Sequence, residues 1–162
     1  MDLARHTFES AVATESRRLF AVAVSITRDP AEAEDAVQET MVKAWRKWDT
    51  VRDESRRSAW LTRICVNHCI SRKRGKLAAW LLRDPHAPER ADEPVAVLDT
   101  RDPDLDRACA LLTAHQRAVV TLHYHYGYSL DECADLLDCR PGTVRSHLHR
   151  ALEALRKELS HG

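Results

Sequence analysis

The chain of 162 residues predicts an all-α protein: two small helical domains joined by a flexible, acidic, Pro-rich linker. Three observations carry that expectation. Apolar residues recur at helical spacing in both halves. Four of the six prolines, Pro85, Pro88, Pro94 and Pro103, crowd into one stretch between them. Charge segregates in the same way: residues 1–84 hold sixteen basic and twelve acidic side chains, residues 85–107 three and seven, and residues 108–162 six of each, so a net charge of zero hides +4, −4 and 0. A stretch poor in large apolar residues and rich in Pro and acid cannot bury enough surface to order itself. Each flanking piece is then expected to carry its own core, with the modest stability of units this small.

The first helix follows from Phe8, Val12, Leu19, Val22, Ala23 and Ile26, which share one face and stop near Thr27. Asp29 is a good N-cap, Pro30 suits the first helical position and Glu32 completes a capping box, so the chain turns sharply into a second helix. Its inner face is Ala33, Val37, Met41, Ala44 and Trp48; its outer face is Asp35, Gln38, Glu39, Val42, Lys43 and Arg46. Taken alone, that outer face is a solvated surface with Glu39 and Lys43 paired at i,i+4, but an outward Val hints at docking. After a polar loop from Asp49 to Ser55, a third helix is expected from about Ser58 to Arg74, with Trp60, Leu61, Ile64, Cys65 and His68 inward. Arg56, Arg57, Arg63, Arg72, Lys73, Arg74 and Lys76 crowd its outside against Glu54 alone, and Arg56, Arg63, Asn67 and Arg74 share a stripe. That is either a solvated basic helix or an electrostatic footprint for nucleic acid, with Asn67 placed to read a base edge or backbone.

The segment Ser129 to Leu155 writes a helix-turn-helix. Ser129 and Glu132 form a capping box, and Leu130, Cys133, Ala134 and Leu137 share a face. Asp138 to Gly142 interrupts the pattern, which resumes at Val144, Leu148, Ala151, Leu152 and Leu155. Opposite that second stripe lie Arg140, Thr143, Arg145, Ser146, His147, His149 and Arg150, all able to donate to phosphates or base edges, with no carboxylate between Arg140 and Arg150. A helical hairpin with a solvated basic face fits the same residues.

No apolar run approaches the roughly 18–20 residues that cross a bilayer, and no signal-peptide core follows a basic N-terminus, so a cytoplasmic protein is expected. Five cysteines, an odd number, fit reduced thiols in that compartment. His123, His125, Cys133 and Cys139 lack metal-ligand spacing, so no metal or other cofactor is expected. There is no phosphate loop, Gly-rich nucleotide fingerprint or nucleophile elbow to argue for an enzyme.

Three stretches, DAVQETMVKAWRKW (Asp35 to Trp48), AWLTRICVNHCISRKR (Ala59 to Arg74) and the whole of His115 to Arg156, together resemble a group IV, extracytoplasmic-function (ECF) sigma factor, in family order and with family-like spacing. The resemblance implies a sigma2 domain (1–84), a linker (85–107) and a sigma4 domain (108–162), with core RNA polymerase and promoter DNA as partners and an anti-sigma factor as a further one. It implies that Asp35, Gln38, Glu39, Val42, Lys43 and Arg46 meet the polymerase clamp. It implies that the Asp49–Ser55 loop with Arg56, Arg63, Asn67, Arg72 and Arg74 engages the −10 element, where a base is flipped out and the melted backbone held. It also implies that Arg140, Gly142, Thr143, Arg145, Ser146, His149 and Arg150 meet the −35 element, and that the linker threads toward the active-site and RNA-exit channels.

The chain departs from the family pattern at Thr113, where Pro is usual, and at Asp138, where Gly is usual. Thr113 with Gln116 offers another capping box, which keeps the helix start. Asp138 is expected to enter the left-handed region at some cost. His147 and His149 stand where Arg or aromatic residues are common. The competing reading is a dimeric helix-turn-helix regulator that binds operator DNA without joining a polymerase.

Overall fold

The computed structural model describes residues 2–83 and 102–161, with side chains for 2–72 and 102–161; the greater part of the expected linker therefore lies outside the described residues. Seven α-helices and no strand occur among them: α1 (Asp2–Thr27), α2 (Pro30–Arg46), α3 (Glu54–Arg83), α4 (Pro103–Ala110), α5 (Ala114–Val120), α6 (Leu130–Leu137) and α7 (Pro141–His161). Helix α4 begins inside the stretch 85–107, because Asp102 caps it, accepting from the N–H groups of Asp104 and Leu105, with Pro103 at its first position.

Helices α1 to α3 form a bundle. Arg28 ends α1 in the left-handed conformation (φ 55°), its N–H bonded to the Val24 carbonyl at 2.8 Å. The next residue, Asp29, caps α2 through the N–H groups of Ala31 and Glu32 at 2.9 and 3.3 Å, which produces the sharp corner the sequence anticipates. Helix α3 starts four residues before the expected Ser58. Asp53 takes the cap, accepting from the Ser55 N–H and hydroxyl, while Ser58 spends its hydroxyl on Glu15 and its carbonyl on Arg18 and Thr62. The helix also continues past Arg74 to Arg83, since a lone Gly75 costs only about 1 kcal/mol and no proline follows until Pro85. Leu19, Val22, Ile26, Leu61, Cys65 and Val66 are fully enclosed between the three helices.

In the second unit, Thr113 and Gln116 exchange both bonds of a full capping box at the start of α5. A π-helical turn, Thr121–His125, carries α5 on to Gly127, whose φ of 74° lets the chain reverse. Ser129 accepts from the Glu132 N–H at 3.1 Å to start α6, but the Glu132 carboxylate does not return the bond, so only half of that box forms. Asp138 closes α6 at φ 51°, ψ 49°, as the missing glycine requires.

The two helical units also pack on each other. Ala118, Val119, Leu122, Cys133, Leu136, Leu137 and Val144 join the buried residues of the α1–α3 bundle in one continuous apolar cluster. Helix α6 lies against α3 and α5 against the end of α1, so α3 buries two faces, one toward its own bundle and one toward the helix-turn-helix. Polar bonds frame the junction: Arg28 pairs with Asp106 at 3.3 Å, both largely buried, and Arg117 of α5 donates twice to the Ile26 carbonyl, at 2.7 and 3.0 Å.

Candidate nucleic-acid and polymerase interfaces

On α2, the bundle's packing turns Gln38, Glu39, Val42, Lys43 and Arg46 to solvent, as the helical spacing predicts. Asp35 is half-buried and already engaged: its carboxylate pairs with Arg72 of α3 and lies 4.0 Å from His68 Nε2. Two residues assigned from sequence to different surfaces therefore hold each other. His68 has its pKa lowered, first by burial and then by the Lys43 charge, with Glu39 opposing, so it sits under this face as a neutral ring. Sequence reasoning missed Trp45. It is 50% exposed beside Val42 (48%) and its ring packs on Phe8 with centroids 4.9 Å apart, although the signal was present: Gln38, Val42 and Trp45 follow the i, i+4, i+7 rule. The face is thus an apolar patch rimmed by charge, the usual anatomy of a protein-docking site.

The loop after α2 is tied down before α3 begins. Trp48–Thr50 form one 3-10 turn, and the buried Trp48 indole donates to Thr7 at 3.0 Å. Arg57 lies 4.7 Å above that ring and bonds both the Val51 carbonyl and Glu54, so it fixes the loop rather than projecting toward DNA. The Ser55 hydroxyl, and then its N–H, hold the Asp53 carboxyl below the usual carboxylate range. Arg56 projects into solvent 3.5 Å from Asp53. Arg63 and Asn67 come together one turn apart on α3: Asn67 Nδ2 donates to the Arg63 carbonyl at 2.9 Å and to the Leu136 carbonyl at 3.2 Å, while the half-exposed Arg63 lies 3.5 Å from the exposed Asp138 carboxylate. The Arg74 side chain lies outside the described residues.

The helix-turn-helix presents its candidates directly. Arg140, just ahead of α7, and Gly142, Thr143, Arg145, Ser146, His149 and Arg150 in its first half are all exposed, while Val144 and Ala151 anchor the opposite face. A Cβ placed on Gly142 would meet nothing within 4 Å, so the helix entrance is open to an approaching phosphate. The Ser146 hydroxyl donates to the Gly142 carbonyl at 3.1 Å, and Glu153 reaches back to His149 at 3.2 Å, an acidic neighbour that the interval Arg140–Arg150 did not include. His147 turns away and stacks on His115, centroids 5.0 Å apart. It helps to line a cleft of about 480 Å³ between α3 and the helix-turn-helix, with Asn67, Ser71, Asp138 and Thr143.

No group of three or more metal-ligating side chains forms among the described residues. Burial pushes the Cys133 thiol up to about 11, which makes it a poor ligand and a poor nucleophile. None of the described helices is long and apolar enough to cross a membrane.

Two family models match this framework: Sigma-70 region 2 over residues 11–78 and Sigma-70 region 4 over residues 104–155. The ECF RNA polymerase sigma factor SigL of Mycobacterium tuberculosis is 35% identical over 147 residues, covering 87% of this chain and 82% of its own. The RNA polymerase sigma-E factor of Streptomyces avermitilis is 32% identical over 158 residues, covering 94% and 84%. Among solved structures, the sigma factor RpoE of Bartonella quintana, in complex with the anti-sigma factor NepR, superposes with a TM-score of 0.71 at 28% identity, over 95% of this chain and 97% of that one. CnrH, in complex with the cytosolic domain of CnrY, gives 0.64 at 26% identity, over 97% and 90%.

Proposed function

This chain belongs to the ECF RNA polymerase sigma factors of the sigma-70 family, and on that premise we propose how its surfaces divide the work. It is a promoter-directing factor whose partners are core RNA polymerase and promoter DNA. Within the family we place it in group IV, acting in the cytoplasm beside the polymerase, without catalytic chemistry of its own and without a cofactor.

In this reading Gln38, Glu39, Val42, Lys43 and Arg46, with Trp45 added, dock on the polymerase, and Asp35 braces that helix through Arg72. Arg56, Arg63, Asn67, Arg72 and Arg74 serve the −10 element. Extruding a base costs a few kcal/mol, which cationic and amide groups on α3 offset by holding the melted strand. Arg145, Ser146 and His149 read −35 base edges, while Arg140, Thr143, Arg150 and the open entrance at Gly142 hold phosphates. Residues 1–84 act as one domain and the helices from α4 onward as the other, with the stretch ahead of α4 as their tether. RpoE and CnrH are each seen with a protein bound, and we extend that to this chain as an anti-sigma partner.

The observation that carries the reading is the coincidence of the region 2 and region 4 matches with the two helical units that bear these faces. An operator-binding dimeric regulator would leave the region 2 match and the apolar patch on α2 without a use. Run-off transcription with purified core polymerase tests it: promoter-specific transcripts are expected only when the factor is added, and their absence across a genomic promoter library overturns it.

A further inference from the structure

Helical spacing puts Arg57 among the basic residues outside α3, yet the structure turns it inward: its side chain is only 20% exposed. The guanidinium lies 4.7 Å above the Trp48 ring, and from there Nε donates to the Val51 carbonyl at 3.3 Å. One side chain in the first turn of α3 thus reaches back to the middle of the Asp49–Ser55 loop. Trp48 is itself fixed. Its indole is 3% exposed, donates to Thr7 at 3.0 Å, and meets Phe8 edge-on at 5.1 Å and Trp60 at 6.3 Å between ring centroids. The loop is therefore held from within by a buried stack, while Asp49, Thr50, Arg52 and Asp53 stay exposed on its outside. The further bond from Arg57 to the exposed Glu54 adds little beside these contacts. A groove of about 340 Å³, lined by Thr7, Ser10, Glu15, Glu54 and Arg57, lies alongside, so the loop has space to shift once the tie is cut.

We propose that Arg57 is a positioning residue for −10 recognition: stacked on Trp48 and bonded to Val51, it fixes the conformation in which the Asp49–Ser55 loop presents its exposed side chains to the strand. The proposal rests on the reading of that loop as part of the −10 interface. A loop ordered beforehand loses little freedom on binding, and a group misplaced by about 1 Å can cost on the order of a hundredfold. The role calls for a guanidinium in particular. Its planar fork stacks on a ring and donates to a carbonyl at once, whereas a lysine ammonium keeps the charge without the fork. Adjacent arginines then divide the work: Arg56 projects into solvent, where it can meet phosphate, and Arg57 shapes the loop.

The test uses the full chain with core polymerase and two promoter libraries, one randomised at the −10 element and one at the −35 element. Arg57→Lys keeps the charge and removes the fork; Thr7→Val removes the acceptor of the Trp48 indole and stands in if the first variant does not fold, as circular dichroism reports. Amide hydrogen exchange of the 49–55 segment reads the loop directly and is expected to quicken in both variants. Sequencing of the transcripts is expected to show discrimination among −10 bases falling roughly tenfold in Arg57→Lys and less in Thr7→Val. The −35 preference and the affinity for core polymerase are expected to stay at the parent's level. Asp49→Ala combined with Arg52→Ala alters the exposed side of the loop and tests the reading beneath the proposal. Unchanged exchange, or a loss of transcription equal for every −10 sequence, overturns the positioning role. A parental −10 profile in Arg57→Lys and Thr7→Val, while the Asp49 and Arg52 substitutions alter it, overturns that role and leaves the loop reading in place. If the Asp49 and Arg52 substitutions leave the −10 profile unaltered, the loop reading falls and the proposal with it.

Discussion

The two helices proposed to face DNA are built by opposite strategies. Helix α7 has its entrance set locally: Pro141 at the first position, the turn at Asp138 just ahead of it, and Val144 and Ala151 buried beneath an exposed row from Arg140 to Arg150. Its exposed polar face exists as soon as the helix does. Helix α3 is set by tertiary contact on two sides, and two of the residues proposed to meet DNA, Asn67 and Arg63, lie at its junction with the neighbouring unit, beside Leu136 and Asp138. A locally specified surface is complete once its helix forms, whereas a surface at a packed junction also answers to the neighbouring unit.

The sharpest way to break this comparison is in the shared core. Leu61→Ala removes a fully buried side chain of α3 and is expected to destabilise the protein by about 2–5 kcal/mol. Because one apolar cluster spans both units, calorimetry should show a single transition that moves as a whole; a second, unmoved transition from the helix-turn-helix would mean that the units melt separately. On the outer face of α2, Glu39→Lys combined with Val42→Asp should weaken association with core polymerase by about 2 kcal/mol or more, with helix content unchanged. Co-purification equal to the parent's would remove that face from docking.

Legibility followed the same division. The corner at Asp29–Pro30, the Thr113–Gln116 box and the left-handed Asp138 were readable because each depends on residues within a few positions of one another. The junction was not readable, because Asn67 and Leu136, or Arg117 and Ile26, are bonded across long stretches of chain and nothing in their own neighbourhoods marks them as partners. Sequence periodicity found the polar face of α2 but not that Asp35 is consumed by Arg72, since the rotation of α2 against α3 is a packing outcome. Trp45 was missed for a different reason: the outer face was read from its polar residues and Val42, whereas an exposed indole there shows only once packing buries Ala36, Thr40 and Ala44 instead.

Within the helix-turn-helix, Arg145→Ala should cost roughly 1–3 kcal/mol and relax preference at one or two −35 positions, whereas Arg150→Ala should weaken all sequences alike and flatten the salt dependence. Transcription from a panel of single-base −35 variants at two salt concentrations separates the two; a uniform loss for Arg145→Ala would take it out of the reading role. Ser129→Ala should cost about 1 kcal/mol, seen as a small drop in melting temperature, since the cap supplies one bond and lacks its reciprocal partner. The smallest effect is in pH. His68 has a folded pKa below its unfolded value, so the unfolded chain binds the extra proton first: stability is fully present above about pH 6.5 and declines as pH falls toward the folded pKa. Thermal melts across that window should lose part of their slope in His68→Gln, and an unchanged slope would assign the acid sensitivity elsewhere.

The left-handed residues Arg28 and Asp138 have one more property, which lies in the genetic code. Every arginine codon and every aspartate codon lies a single base change from a glycine codon. At either position one point mutation would relax the backbone and erase the charge together. The chain therefore sits one nucleotide away, at two separate places, from a variant whose turns are more comfortable and whose halves are less firmly joined, and the balance between those halves can be retuned by the smallest step a genome can take.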